Sequence, residues 1–297
     1  MKTLNYMVAI AAASTLTMAS CGSKTKLEQK TTDLDDLIEE NTVTVRQNAM
    51  TDTTLTIGGA NMRFAEVSRI FRVDSTGQFY LSVRAIVPAD SSAITNNLYS
   101  SLLAYYKELG DTLEKAPAAV STPVQLAQAL DVMGAAFSNH VQPYATDTIT
   151  PGFMMNADMR PVYGTDSYMT YAVYDDYYTG GAHGEVDTYF ETFDIKTGRP
   201  YTFDTMFSAE GRAKIRAKLV EIIAKDKAQT IDEYLKSLNE FLMPAAPVTV
   251  DNFPVYHVGI TSFGVVFTYP KYSIAAGFEG CPAYVIPLDE VSSYLTL

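Results

Sequence analysis

Tryptophan is absent from this chain, cysteine occurs twice and histidine three times. Two cysteines cannot build the disulfide framework that holds many small secreted domains together. One of them, Cys21, closes an N-terminal leader, which leaves Cys281 with no second cysteine for a disulfide; between Gly280 and Pro282 it reads as a buried thiol. The histidines His140, His183 and His257 are dispersed and form no HExxH spacing. A hydrolytic zinc draws on three protein ligands with nitrogen well represented, so no metal and no cofactor is expected. No Gly-x-Ser-x-Gly elbow marks a nucleophile, and no Lys with Ser/Thr follows a glycine loop to cradle phosphate. Basic residues are the scarcer charge, with Lys+Arg 22 against Asp+Glu 34 and a formal net charge of -12. Such a chain is a poor binder of nucleic-acid phosphates and attracts cationic partners at long range.

Long apolar runs are also lacking. Met7 to Met18 is the longest candidate and is too short to span a bilayer. Lys2 precedes it and Ala19-Ser20-Cys21 follows, the order of an export signal. With Leu16 and Met18 upstream, these small residues before a cysteine resemble the lipobox of bacterial lipoproteins, in which the cysteine is acylated and becomes the mature N-terminus. The resemblance implies lipid attachment at Cys21, for instance through palmitate, and a place in the bacterial cell envelope, periplasmic or surface-exposed. Loss of the leader removes only Lys2 among charged residues and takes the net charge from -12 to -13. Residues 21–50 are polar and charged, as a tether needs to be.

The body has an apolar fraction of 47%, enough for a real core. Leu55 to Ile57, Met62 to Val73 and Phe79 to Val87 read as strands, turning at Gly58-Gly59 and Asp74 to Gly77. Asp90-Ser91-Ser92 offers a cap for a helix that carries Leu98, Leu102 and Leu103 and ends near Gly110. A second helix is expected from Pro123 to Ser138 on a stripe of Leu126, Leu130, Met133 and Phe137. Strands return at Phe153 to Val162, Tyr168 to Tyr177 and Gly184 to Asp194. Ser208 opens a helix reaching about Ala228, then strands are expected at Val255 to Ile260, Val265 to Tyr269 and Ala283 to Ile286, with a short helix from Leu288 to Leu295. Without βαβ alternation, this order predicts an α+β fold of antiparallel sheets with packed helices in two α+β subdomains. The expected division is signal 1–20, tether 21–50, N-terminal domain 51–150 and C-terminal domain 151–297.

Tyr177-Tyr178-Thr179-Gly180-Gly181-Ala182-His183-Gly184 places three glycines and a histidine between two strand-like runs. Glycine reaches backbone conformations closed to other residues, so this is a shaped loop. It is followed by FDIKTGRPYTFDTMF at Phe193 to Phe207, FGVVFTYPKYSIAAGFEG at Phe263 to Gly280 and VIPLDEVSSYL at Val285 to Leu295. Taken in order, these elements resemble the C-terminal domain of unknown function found in the anti-sigma factor RsiV and the peptidoglycan deacetylase PdaC. The resemblance covers Tyr163 to Leu297. It implies a recognition module rather than a catalyst: in RsiV the extracellular region binds lysozyme, and in PdaC-like proteins it accompanies a separate deacetylase domain. Tyr178, Gly180, Gly181, His183 and Tyr272, in the loops around Tyr177 to Glu185 and Tyr269 to Gly280, are the candidate contacts. A cationic protein such as lysozyme, or a cell-wall glycan, is the expected partner, besides the membrane reached through lipid.

The catalytic alternative is an envelope hydrolase or deacetylase that uses His183 with Asp175, Asp176, Glu185 or Asp187. Adjacent strand residues point to opposite faces, so Asp175 and Asp176 form no dyad and read as a solvated strand end. Tyr201-Thr202-Phe203-Asp204-Thr205 resembles the first acidic motif of NodB deacetylases without its second aspartate, and Asp204 is expected to cap a helix instead. His183 is expected to orient its loop through backbone or a neighbouring carboxylate.

Overall fold

The computed structural model describes residues 50–57, 60–74, 77–106, 116–145, 152–181, 183–276 and 280–297. The leader, Cys21, the tether up to residue 49, the turn at Gly58-Gly59 and the expected helix end near Gly110 lie outside the described residues. The fold is α+β, as expected. Among the described residues the chain divides into two compact units, one of 50–187 with Glu191–Tyr201, the other of Thr188–Phe190 with Thr202–Leu297. One sheet joins strands from both sides of residues 146–151, and the two units part after Tyr201.

The first unit runs β1 (Met50–Ile57), β2 (Ala60–Arg72), β3 (Phe79–Pro88), α1 (Ala93–Tyr105), α2 (Pro123–Ala145), β4 (Phe153–Gly164), β5 (Tyr168–Tyr178) and β6 (Glu185–Asp194), the last with its Thr188–Phe190 stretch counted in the other unit. The six strands lie side by side in chain order. β1, β2 and β3 pair antiparallel, as do β4 and β5. The exception is β3 with β4, which is parallel in the register Phe79↔Phe153 to Ala85↔Met159. A parallel neighbour needs a long crossover, and α1 and α2 supply it. Phe79, Leu81, Val83, Ala85 and Val87 of β3 are buried on the crossover's side of the sheet. The larger of them each contribute roughly 1.5–3 kcal/mol by leaving water.

Local chemistry explains the helix limits. The Ser92 hydroxyl accepts from the Ile94 amide at 3.2 Å and starts α1. At α2 the Thr122 hydroxyl accepts from the Gln125 amide at 3.2 Å, and Pro123, which has no N–H to lose, opens the first turn. That helix runs on past Ser138 through Pro143 to Ala145, held down by buried Val141 and by the His140 ring 5.6 Å from Phe153. Its Gly134 faces the Phe71 ring, which a Cβ would strike, so the helix lies close on β2. Gly198, in the left-handed region at φ 69°, abuts Ala93 and Ile94 at the start of α1, and its carbonyl accepts from the Asn97 side chain at 2.7 Å.

The second unit holds α3 (Phe203–Met206), α4 (Ala209–Asp226), α5 (Ile231–Leu242), the antiparallel sheet β7 (His257–Ile260), β8 (Gly264–Thr268) and β9 (Ala283–Pro287), and α6 (Leu288–Val291) followed by a 3-10 turn at Ser292–Tyr294. Phe203, Phe207, Phe253, Phe267 and Tyr269 form its aromatic core. The cap of α3 is Thr202, in a reciprocal pair with Thr205, rather than Asp204; Asp204 lies in the first turn and pairs with Arg212 at 3.3 Å. Helix α5 is absent from the sequence-based expectation. Thr230 and Glu233 form a full capping box at its start, and Tyr234 and Leu238 anchor it.

Candidate functional site

β5 and β6 form a hairpin whose tip is the glycine loop. Gly180 has φ 87°, which favours glycine. A Cβ on Gly184 would lie 2.8 Å from the Tyr177 carbonyl oxygen, so strand and loop approach closely there. The Tyr178 hydroxyl donates to the Gly181 carbonyl at 2.8 Å and braces the tip. His183 stays outside the brace: its side chain is 64% exposed, and Nδ1 stands 4.0 Å from Glu185 Oε1. Tyr272 belongs to the other unit. It is exposed at φ 67°, with Lys271 Nζ 5.3 Å from its ring centre.

Below the tip, the strands carry acids that the loop does not use. The Tyr171 and Phe193 rings meet edge-on at 5.9 Å, so Asp175 shares a face with Asp187 and Glu191 by two-residue steps along each strand. The Thr170 and Thr192 hydroxyls meet at 2.8 Å on the opposite face. Asp175 is 3% exposed, and its Oδ1 has no hydrogen-bond partner. The expected solvated strand end is therefore corrected for Asp175, which the sheet buries. Burial, then Asp187 and Glu191, push its carboxyl up to about 8. Burial pushes Glu191 up to about 7. Asp176 points to the other face with Tyr174, whose phenol burial and Asp176 raise to about 12.

Sequence proximity groups His183 with these carboxylates. The fold instead leaves His183 beside Glu185 at the exposed tip and sets Asp175 with Asp187 and Glu191 in the sheet. Among the described residues no group of three His, Cys, Asp or Glu is placed to hold a metal ion. The second unit has a shallow cleft of about 170 Å³ lined by Lys214, Lys218, Glu290 and Tyr294 among others. Its lysines are already matched, Lys214 to Glu210 at 2.7 Å and Lys218 to Glu290 at 3.3 Å. Cys281 is half-buried rather than buried.

No protein-family model and no curated protein matches the chain. Solved structures do. A DUF3298 family member from Bacteroides fragilis aligns with TM-score 0.55 and 17% identity over 84% of this chain and 95% of its own. A DUF3298 family protein from Pseudomonas aeruginosa aligns with TM-score 0.50 and 16% identity over 84% of this chain and 96% of its own. The fold is that of these DUF3298 proteins. DUF3298 denotes a bacterial domain of unknown function, and at this identity the likeness extends to architecture alone. The β5–β6 tip and the acids beneath it are therefore features of this chain, argued from its own side chains.

Proposed function

We propose that the protein is a lipid-anchored cell-envelope protein whose folded body is a non-catalytic recognition module. Its partner is a cationic protein, with lysozyme as the most specific case, or a cell-wall glycan. The observation that carries this reading is the geometry of the β5–β6 tip. The Tyr178 brace holds a shaped loop that presents His183 outward, where the surface of a partner can reach it. The net charge of -12 supports a cationic partner by long-range attraction. Lys2, the short apolar run and Ala19-Ser20-Cys21 support export and acylation at Cys21. The sequence resemblance to the RsiV and PdaC domain points the same way.

Calorimetry with purified lysozyme at moderate and high salt tests the partner. Binding that survives high salt and weakens several-fold in His183→Ala, with the unfolding midpoint unchanged, is expected. Absence of binding at both salts removes lysozyme, while binding at low salt alone marks non-specific charge attraction. Fractionation of a Cys21→Ser variant tests the anchor, which is refuted if the variant stays with the membrane.

A further inference from the structure

The sheet of the first unit carries a second polar cluster on the face away from α1 and α2. Ser68 of β2 is opposite Arg84 of β3, and Arg84 is opposite Asp158 of β4. Glu66 and Arg160 lie two residues along their strands and so share that face. β1 curls over it. Thr53, Leu55 and Ile57 are more buried than Thr54 and Thr56 between them, and a Cβ on Gly164 of β4 would lie 3.1 Å from Ile57 Cγ2. The face is therefore concave.

Within it, Arg84 reaches Glu66 Oε2 through Nη2 at 3.0 Å and Asp158 Oδ2 through Nη1 at 3.0 Å. Arg160 Nε stands 3.6 Å from Asp158 Oδ1, beyond hydrogen-bonding distance. Arg84 is 4% exposed and Arg160 8%. Despite that burial, Ser68 Oγ, Arg84 Nε, Asp158 Oδ1 and Arg160 Nε and Nη1 have no hydrogen-bond partner. Buried polar atoms are nearly always satisfied, and a buried guanidinium with idle N–H groups is costly.

The kind of atom left over identifies the occupant. Three nitrogen donors are idle against one carboxylate oxygen, and the Ser68 hydroxyl can donate or accept, so the donors that cannot accept are in excess. A water supplies two acceptor sites but brings two donors with it. A small oxyanion supplies acceptors without donors; Glu66 and Asp158 already offset the two guanidinium charges, so hydrogen bonds to the idle N–H groups, not net charge, hold it. Arg160 itself is held below its ordinary range by burial and, after Asp158 has opposed that, by Arg84. Asp158 and Glu66 have side chains 26% and 15% exposed, which gives the cluster an opening to solvent.

We infer that the concave face around Arg84 and Arg160 is a binding site for a small oxyanion, a carboxylate or phosphate group, with Ser68 as a further donor. Guanidinium forks suit both anions. The site is independent of the β5–β6 tip.

The test titrates sodium acetate and inorganic phosphate, each against chloride at equal ionic strength, into the protein and follows its arginine Nε–H resonances by NMR. Saturable shifts of two arginine signals, assigned through Arg160→Lys, are expected with acetate, phosphate or both, and the arm that responds names the anion. Arg160→Lys should bind about tenfold more weakly, since it loses the Nε donor, and the gentler Ser68→Ala roughly fivefold more weakly. If neither anion shifts these signals more than chloride does, the cluster holds only water and the inference is wrong. Equal binding by Ser68→Ala, Arg160→Lys and the parent chain would overturn it as well.

Discussion

The hydroxyl of Tyr178 reaches back across the hairpin tip to the carbonyl of Gly181, 2.8 Å away. Tyr178 is thereby a brace within the loop as much as a surface that a partner could touch. The contact is exposed, so its net worth is small, about 0.5 kcal/mol. Tyr178→Phe should leave the unfolding midpoint within about a degree or two while hydrogen exchange at residues 179–184 accelerates. Unchanged exchange there would show that the backbone shapes the loop without the hydroxyl.

Asp175 makes the stability of the first unit fall with rising pH. Its carboxyl is ordinary in the unfolded chain and raised to about 8 in the fold, so the folded state holds a proton that the unfolded state has released. The contribution is fully present below the unfolded value and disappears as pH rises through about 8. Glu191, raised to about 7, acts in the same direction. Asp175→Asn should flatten urea-unfolding free energies between pH 5 and pH 9 and stabilise the protein at the upper end by a few kcal/mol, given about 1.4 kcal/mol per pH unit. A parent chain equally stable at both ends would contradict the buried, protonated carboxyl.

Gly198 combines a left-handed backbone with contact against the first turn of α1. Gly198→Ala should cost at least about 2 kcal/mol, from left-handed strain together with displacement of Ala93. Denaturant unfolding measures it, and a loss under about half a kcal/mol would mean that the turn relaxes freely.

The capping box at Thr230 and Glu233 satisfies two backbone donors of α5. Thr230→Ala should destabilise by about 1 kcal/mol, while Thr230→Ser stays near the parent. Equal losses in the two variants would assign the effect to the threonine methyl group rather than the hydroxyl.

What the sequence disclosed followed from how local each signal is. Alternation of apolar residues marked β3 and β5, and the stripe from Leu126 to Phe137 marked α2, because those patterns repeat within one element. Helix α5 is masked in the apolar pattern although Thr230-x-x-Glu233 announces it, since its charged residues outnumber its buried Tyr234 and Leu238. The glycine loop was visible as a loop, but the direction of His183 was not, because exposure depends on the hairpin that carries it. Asp175 and Glu191 lie far apart along the chain and meet only through β5–β6 pairing. Glu66, Ser68, Arg84 and Asp158 are drawn from three strands, and no spacing rule joins them. The parallel seam between β3 and β4 was equally hidden, because the helices between those strands read as a separate helical stretch.

That seam also orders the folding reaction. β1 to β3 and β4 to β6 are each meanders of neighbouring strands, which close over short loops and form quickly. Joining them brings together Phe79 and Phe153, about seventy residues apart, so the entropy of closing a large loop falls on that single step. Formation of the seam is expected to limit the folding rate, and substitution of Val83 or Ala157, which face each other across it, should slow refolding more than it speeds unfolding in a stopped-flow chevron.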